Sequence, residues 1–180
     1  GNSSGSRFNI TGENAGNVNG VIYFAGIENL NGGSGDDTFA FVGAGRLSGS
    51  INGGSGSNWL DYSGYDRGVT VNLTEGQIEG LDGILTSVNN ILGSPYDDTL
   101  IGSMANNILN GGAGNDIIKG TGGNNTIIGG DGNDKLYGGR GSDTFIFEGN
   151  FGADNLYDYE DENGETKGLG SYTLDFTEVT

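Results

Sequence analysis

The sequence contains no cysteine and no histidine, and only one of its 180 residues is proline. Without cysteine the chain can form no disulfide, no thiolate metal site and no cysteine nucleophile. The lack of histidine removes the commonest general base and the commonest ligand of transition metals. A serine nucleophile activated by histidine is excluded for the same reason. We therefore expect that the protein is not an enzyme.

Basic residues are scarce as well. Seven lysines and arginines stand against 24 acidic residues, which gives a formal net charge of −17. Because so few cations could neutralise phosphates, we expect no binding to nucleic acid. No run of about 18 apolar residues is present, so we expect no membrane insertion. The opening "GNSSGSRFNI" lacks the apolar core of a signal peptide, so we expect either export by another route or an excerpt from a longer chain.

Glycine, by contrast, accounts for 39 residues, and only 33% of the chain is hydrophobic. This composition favours disorder, because little apolar surface is available to offset the loss of chain entropy on folding. The glycines are periodic, however, and periodicity argues for order. Six units of nine residues follow one another over residues 93–146, and the eighth residue of every unit is apolar. These eighth residues are Leu100, Leu109, Ile118, Ile127, Leu136 and Phe145.

The nine-residue period predicts an all-β fold. The unit is too short for a helical hairpin, and each glycine would disfavour a helix by about 1 kcal/mol. We interpret a unit as a turn of about six residues followed by a strand of about three residues. Two units then complete one coil of a parallel β-roll, a β-solenoid in which the apolar eighth residues stack inside. Glycine allows the positive φ that such turns require.

The segments "GGAGNDIIK" at 111–119 and "GGDGNDKLY" at 129–137 resemble the nonapeptide G-G-x-G-x-D-x-U-x of the RTX calcium-binding proteins. "GGSGDDTFA" at 32–40 also matches, and "GGRGSDTFI" at 138–146 keeps the same core. The resemblance implies stacked glycine-rich turns that bind several calcium ions, and we expect roughly three to five. It implies that each ion lies between turns two units apart and is held by carboxylates and carbonyls, the oxygen ligands that calcium prefers.

Carried over to this chain, the family pattern implies sets of candidate ligands. Carbonyl oxygens come from the first four positions of the turns, and carboxylates come from the sixth. The first set is Ser94, Tyr96 and Asp98 with Gly111, Ala113 and Asp116, and the second is Gly112, Gly114 and Asp116 with Gly129, Asp131 and Asp134. A further candidate group combines Asp37 with Gly33 and Gly35, and the sequence leaves open whether calcium binds between Asp37 and Asn58.

Because two units make one coil, every second turn lies on the same edge of the roll. The residues at position six are Asp98, Asp116 and Asp134 on one edge, here called the acid edge, and Asn107, Asn125 and Asp143 on the other, the amide edge. Neighbouring carboxylates about 5 Å apart repel each other unless a cation lies between them. Amides can instead stack as a neutral hydrogen-bonded ladder. We therefore expect calcium on the acid edge and weak or absent sites on the amide edge, with Asp143 as a candidate ligand there.

We interpret the chain as one continuous solenoid. Residues 1–92 are predicted to form irregular, wider coils with RTX-like turns at 32–40 and 53–61. Residues 93–146 form the six tandem repeats, and residues 147–180 form a C-terminal capping segment and the start of a further repeat.

Two features outside the tandem repeats have alternative interpretations. The nine-residue phase stops after Phe147, and the acidic cluster that follows, which includes Asp154, is interpreted as a solvated patch. The alternative is that one of its members completes a terminal metal site. Trp59 is interpreted as a packing residue of a wide coil, with an exposed recognition residue as the alternative.

These observations predict a structural module that folds on extracellular calcium. The resemblance implies a large secreted or surface protein of a Gram-negative bacterium, adhesin-like and exported by type I secretion. Calcium is the expected partner, host-cell or matrix glycans or proteins are possible further ones, and the chain is expected to be a monomeric segment of a longer one. The alternative function is a carbohydrate-binding RTX module appended to a polysaccharide-active enzyme.

Overall fold

The computed structural model describes residues 5–157 and 170–178 of the chain. Strands and turns make up these residues, so that part of the chain holds no helix able to cross a membrane. The strands are β1 Arg7–Gly12, β2 Ala15–Val18, β3 Ile22–Ala25, β4 Leu30–Asn31, β5 Thr38–Gly43, β6 Ile51–Asn52, β7 Trp59–Tyr65, β8 Thr70–Asn72, β9 Gln77–Ile78, β10 Leu85–Thr86, β11 Asn90–Leu92, β12 Thr99–Ile101, β13 Ile108–Ala113, β14 Ile117–Lys119, β15 Thr126–Asp131, β16 Lys135–Tyr137, β17 Gly141–Glu148, β18 Asn155–Tyr157 and β19 Gly170–Glu178.

The strands stack into three sheets. The largest has ten strands in the order β19-β17-β15-β13-β11-β7-β5-β1-β2-β3. Facing it are a six-stranded sheet, β18-β16-β14-β12-β8-β9, and a three-stranded sheet, β10-β6-β4. Most neighbouring strands are parallel, as expected when a chain coils repeatedly in one direction. The predicted all-β, parallel β-roll is therefore confirmed.

The coil length is set by the sequence between equivalent strands. Strands β11 to β15 each pair with the strand two units later, 18 residues along the chain. Earlier coils are wider, because Phe39 pairs with Leu60 and Leu60 pairs with Ile91. The long connection between β7 and β11 accommodates β8, β9 and β10, which add to both smaller sheets.

The core is a narrow double column of side chains from position eight of each unit. In the ten-stranded sheet the column runs through Phe8, Phe39, Leu60, Ile91, Leu109, Ile127 and Phe145. In the six-stranded sheet it runs through Val71, Leu100, Ile118 and Leu136. Leu174 and Leu156 continue the two columns at the C-terminal end but are exposed. All six predicted eighth-position residues of the tandem repeats are fully buried or nearly so. The nine-residue period therefore follows directly from the burial of one residue per unit.

The N-terminal end of the roll differs from the expectation of wide coils alone. Strand β1 pairs in parallel with β5, but β2 and β3 continue as an antiparallel meander. The β2–β3 turn is made by Asn19 and Gly20, which have φ of 54° and 70°. These two residues are the centre of a tight turn from Val18 to Val21, and Val21 completes a three-residue connection because Val18 pairs with Ile22. This meander extends the ten-stranded sheet beyond the first coil.

The C-terminal part continues the stacking past the tandem repeats. Strand β18 pairs in parallel with β16 and places Leu156 against Leu136. Strand β19 pairs in parallel with β17 and places Leu174 against Phe145. The described part of residues 147–180 thus adds one more strand to each of the two larger sheets.

Candidate metal centre

The turns that begin at Gly111, Gly129 and Gly138 are tight because glycine occupies positions two and four. In the turn that begins at Gly111, Gly112 has φ of 101° and Gly114 has φ of 122°. A side chain is strained in that region, and a Cβ on Gly114 would lie 2.5 Å from the backbone carbon of Tyr96 in the coil before. Successive turns therefore stack backbone on backbone. This close stacking brings the position-six side chains into the interior of the edge.

Position-six side chains link consecutive coils through one oxygen. On the acid edge the backbone N–H of Asp98 donates to Asp116 Oδ1 at 2.8 Å, and that of Asp116 donates to Asp134 Oδ1 at 2.8 Å. On the amide edge the N–H of Asn107 donates to Asn125 Oδ1 at 3.0 Å. The N–H of Asn125 donates in turn to Asp143 Oδ1 at 2.8 Å. The predicted division into an acid edge and an amide edge is confirmed by these contacts.

In several aspartates the second carboxylate oxygen, Oδ2, has no hydrogen-bond partner, in contrast to Oδ1. Oδ2 is buried and accepts no hydrogen bond in Asp37, Asp116, Asp134 and Asp154. Around the Asp116 turn, a Cβ added to Gly111 would overlap both Asp116 Oδ2 and the carbonyl oxygen of Gly129 in the next coil. Two oxygen atoms that carry no hydrogen thus converge beside the Cα of Gly111. A buried arrangement of this kind requires a cation or a proton between the oxygens.

The electrostatics of the acid edge support the same conclusion. Burial raises the pKa of Asp116 to about 8, reinforced by repulsion from Asp98 and Asp134 and opposed by the hydrogen bond from the Asp98 backbone. Burial also raises the pKa of Asp134 to about 6, with repulsion from Asp154 adding to the effect. Without a cation these carboxylates therefore hold protons far more tightly than exposed aspartates do. A bound divalent cation would favour their ionised forms instead.

These residues fit calcium. The ligands available are carboxylate and carbonyl oxygens, and calcium takes oxygen ligands in flexible geometry. In residues 5–157 and 170–178, no three acidic side chains converge as a metal-binding group. Each site would therefore depend on one or two carboxylates completed by backbone carbonyls. When bound, calcium would supply the positive charge that the facing oxygens lack.

The predicted carbonyl ligands lie in the stacked turns, and whether they bind calcium stays a prediction. The carbonyl oxygens of Gly112 and Gly114 face Gly130 and Gly132 of the next coil. The carbonyl of Asp131 accepts a hydrogen bond from Gly114 N at 2.9 Å, and that of Ser94 accepts one from Ala113 N at 3.4 Å. Tyr96 is half exposed at the outer surface of its turn.

Asp98 differs from the other predicted acid-edge ligands. Its Oδ2 accepts a hydrogen bond from Ser94 N at 2.6 Å, and its Oδ1 accepts from Ser94 Oγ at 2.8 Å and from Val69 N at 2.7 Å. Both oxygens are therefore satisfied by the protein. The partner of Oδ2 is a backbone N–H, and Ser94 lacks the positive φ that Gly112 has at the equivalent position, so the backbone of this turn differs.

Asp37 reproduces the acid-edge geometry in the first third of the chain. Its Oδ1 accepts from Ser6 N at 2.7 Å, and a Cβ on Gly32 would overlap its Oδ2 and the carbonyl of Gly53. Asn58 occupies position six of the next turn, and its Oδ1 accepts from Asp37 N at 2.8 Å. The candidate ligands Gly33 and Gly35 both have positive φ, of 96° and 99°. Asp37 and Asn58 thus stack on one edge as expected.

Asp154 belongs to the acid edge, although the sequence was interpreted as leaving the repeat phase after Phe147. Its Oδ1 accepts from Asp134 N at 2.9 Å, and its Oδ2 is one of the unpartnered buried oxygens. The segment 149–157, "GNFGADNLY", has glycine at positions one and four, aspartate at six and leucine at eight. Interpreting Asp154 as part of a solvated patch is therefore wrong. The other members of that cluster, Asp158, Glu160, Asp161, Glu162 and Glu165, lie outside the described residues.

Position five forms a second ladder that sequence reasoning missed. Asp97 Oδ1 accepts from Asn115 N at 2.7 Å, and Asn115 Oδ1 accepts from Asn133 N at 3.1 Å. Asn133 Oδ1 then accepts from Ala153 N at 2.9 Å. This ladder runs in the opposite sense to that of position six, so each turn is held from both sides. Adjacent Asn and Asp residues at positions five and six are the signal that could have revealed it.

The comparison with known proteins agrees with this geometry. The family model of the RTX calcium-binding nonapeptide repeat matches residues 23–40, 86–118 and 111–145, in four copies. No curated protein matches the chain. The matches cover the turns of Asp37, Asp98 and Asp116 and extend over those of Asp134 and Asp143. These parts of the chain match the RTX calcium-binding nonapeptide repeat, a β-roll repeat that binds calcium.

Proposed function

We propose that this chain is a structural module that folds when it meets extracellular calcium, within a large secreted or surface-exposed bacterial protein of the adhesin type. The observation that carries this proposal is the convergence of buried, unpartnered aspartate oxygens with carbonyls of the next turn. Without a cation, that arrangement costs free energy in the folded state only. Calcium binding therefore becomes folding free energy.

The charge of the chain supports an extracellular setting for this step. A net charge of −17 keeps the unfolded chain expanded through self-repulsion where calcium is scarce. Sites of extracellular modules bind calcium in the range of about 10⁻⁴–10⁻³ M, which suits a switch between low and high calcium. RTX repeats typically occur in secreted bacterial proteins, and we propose type I secretion from a Gram-negative cell. Host-cell or matrix glycans or proteins are the proposed partners of the protein that contains the module, and no catalytic activity is proposed.

Circular dichroism in chelator and in calcium tests this proposal. We expect little β-structure in chelator and a cooperative gain of β-structure as calcium is added, with several ions bound in a parallel calorimetric titration. Equal β-content in both conditions, together with no measurable calcium binding, would contradict it.

A second candidate function, carbohydrate binding, has one observation in its favour. Trp59 is half buried on the outer face of the ten-stranded sheet and lines a surface pocket of about 230 Å³ with Arg7, Thr38, Asp61 and Leu92. Arg7 forms an ion pair with Asp61 at 2.7 Å and donates to Asn9 Oδ1, so its guanidinium is held in place. An aromatic face beside fixed polar groups is a common arrangement in small-ligand sites.

The fluorescence of Trp59, the only tryptophan in the chain, reports directly on this pocket. Titration of calcium-loaded protein with neutral and uronic oligosaccharides would show a saturable change if the pocket binds them. An Arg7→Gln variant should weaken such binding. A flat titration with every oligosaccharide would exclude the second candidate and leave the structural role.

A further inference from the structure

The two turn types, with aspartate or asparagine at position six, offer a matched comparison within one molecule. In the turn that begins at Gly111, Asp116 Oδ2 faces the carbonyl oxygen of Gly129 with no hydrogen between them. In the turn that begins at Gly120, the equivalent atoms are Asn125 Nδ2 and the carbonyl oxygen of Gly138. Both turns have positive φ at positions two and four, and their position-six side chains differ in one atom.

The amide nitrogen fills the interior of its turn with hydrogen bonds. Asn125 Nδ2 lies 3.2 Å from the carbonyl of Gly122 and 3.4 Å from that of Gly138, and it donates to Asp143 Oδ1 at 3.0 Å. Three oxygen atoms thus surround one nitrogen that carries two hydrogens. Each is an acceptor, as the ligands of a cation would be.

A second, independent turn repeats the arrangement. Asn58 Nδ2 donates to the carbonyl of Ser87 at 2.9 Å, and a Cβ on Gly53 would overlap both atoms. The neighbouring turn has aspartate at the same position, and there Asp37 Oδ2 faces the carbonyl of Gly53 without a hydrogen bond. In the wide coils, as in the tandem repeats, the amide nitrogen therefore donates to the facing carbonyl, whereas the carboxylate oxygen has no hydrogen bond to it.

We propose that the side-chain amide of Asn58 and of Asn125 takes the place of a calcium ion. In turns whose position-six group is not bonded within its own turn by a serine at position two, asparagine then closes the turn without metal and aspartate requires metal. Asp98 and Asn107, which accept from Ser94 N and Ser103 N, lie outside this rule. The inference rests on the proposed calcium-dependent folding and adds which turns are exempt from it. The turns of Asn58 and Asn125 then retain their stacking in the absence of calcium. The turns of Asp37, Asp116 and Asp134 make folding dependent on calcium.

A substitution that removes a calcium ligand would ordinarily weaken folding, but this inference predicts that asparagine in place of aspartate favours folding in chelator. The double variant Asp116→Asn, Asp134→Asn keeps Oδ1 as the acceptor for the backbone N–H of the preceding coil and supplies Nδ2 as a donor to the facing carbonyl. We expect it to show more β-structure in chelator than the natural chain, and to reach its folded signal at a lower calcium concentration. It should also bind fewer calcium ions in a calorimetric titration.

The matched control is Asp116→Ala, Asp134→Ala, which removes the same charges but offers neither acceptor nor donor. We expect this variant to stay unfolded in chelator and to be less stable than the natural chain in calcium. The reciprocal variant, Asn125→Asp, should need a higher calcium concentration to fold and should bind one more calcium ion.

The outcomes separate this inference from the proposed function. The asparagine and alanine double variants could behave alike in chelator while the natural chain still requires calcium. In that case the inference that the amide takes the place of calcium is wrong, and calcium-dependent folding stands. If the natural chain keeps its β-structure in chelator and binds no calcium, the proposed function itself fails. An Asn125→Asp variant that folds at the same calcium concentration as the natural chain would also overturn the inference.

Discussion

At the scale of single residues, the decisive feature is the buried carboxylate at position six. Asp116 and Asp134 are almost completely inaccessible to solvent, yet only one oxygen of each is hydrogen-bonded. Burial of an ionised carboxylate without compensation is strongly unfavourable, so the group takes up either a proton or a metal ion. Protons and calcium should therefore compete for the same oxygens.

This competition predicts an unusual pH dependence in chelator. The pKa values of Asp116 and Asp134 in the fold, about 8 and about 6, lie above the ordinary value of 3.8. The folded state therefore binds more protons than the unfolded state between these values, and its stability falls as pH rises. The contribution is fully present below the unfolded pKa and is lost as pH passes through about 6 and about 8. Circular dichroism in chelator should show more β-structure at pH 5 than at pH 9, and the Asp116→Asn, Asp134→Asn variant should show a smaller difference.

A second residue-scale prediction concerns the glycines that allow turns to stack. Gly114→Ala should destabilise the calcium-loaded protein by about 2–4 kcal/mol, because the residue has φ of 122° and its new Cβ would meet the backbone of Tyr96. Gly12→Ala is the control, since φ there is not positive and the nearest atom to a new Cβ is 3.8 Å away, on Ala15. Chemical denaturation in saturating calcium measures both variants. Equal losses at the two positions would contradict the stacking argument.

Sequence reasoning at this scale succeeded where the repeat is regular. The spacing assigned Asp116 and Asn125 to opposite edges, because two units per coil fix which turns stack. It did not reveal that Asp98 has both oxygens satisfied. That outcome depends on the hydroxyl and N–H groups of Ser94, whose orientation is a property of the folded turn.

At the scale of elements, the strands could be predicted where one apolar residue recurs in a constant phase. The hairpin of β2 and β3 has no such period, but it has a local signal that was overlooked. Asn19-Gly20 stands between Val18 and Val21, and Val21 N donates to the carbonyl of Val18 at 3.0 Å. An Asn-Gly pair between apolar residues is a strong short-range signal for a hairpin.

The end of the tandem repeats was missed for a different reason. Two residues, Phe147 and Glu148, separate the last regular unit from the segment 149–157. A fixed period of nine loses phase at this insertion, although the chain absorbs it by lengthening β17. The pairing of β18 with β16 then restores the stack.

Asp154 should consequently contribute to both packing and calcium binding. Its replacement by alanine removes the acceptor for Asp134 N and one of the two unpartnered carboxylates at this end of the edge. We expect Asp154→Ala to bind one calcium ion fewer and to expose β18 to faster amide hydrogen exchange. Glu75→Ala, which removes an exposed acidic side chain from a wide coil, is the matched control for charge. An unchanged calcium stoichiometry in Asp154→Ala would show that the site does not extend to this turn.

At the scale of the whole molecule, the fold combines a thin core with a large negative charge. Each regular unit buries one apolar side chain in the column of the roll, and the chain has a net charge of −17. Two electrostatic effects then oppose folding: general repulsion over the surface and local repulsion between buried carboxylates on the acid edge. Salt acts on the two effects differently, because exposed charges are screened by ions and buried ones much less so.

This difference predicts that monovalent salt will not replace calcium. At about 0.1 M salt the Debye length is about 10 Å, so further sodium chloride weakens the surface repulsion but reaches the oxygens of Asp116 and Asp134 poorly. We expect the circular dichroism spectrum in chelator to change little between low salt and about 0.5 M sodium chloride, whereas millimolar calcium restores β-structure. Magnesium should be a weak substitute, because it requires near-ideal octahedral geometry and releases its water reluctantly. If sodium chloride alone restored the fold, general repulsion would be the barrier to folding, and the acid edge would not need a bound cation.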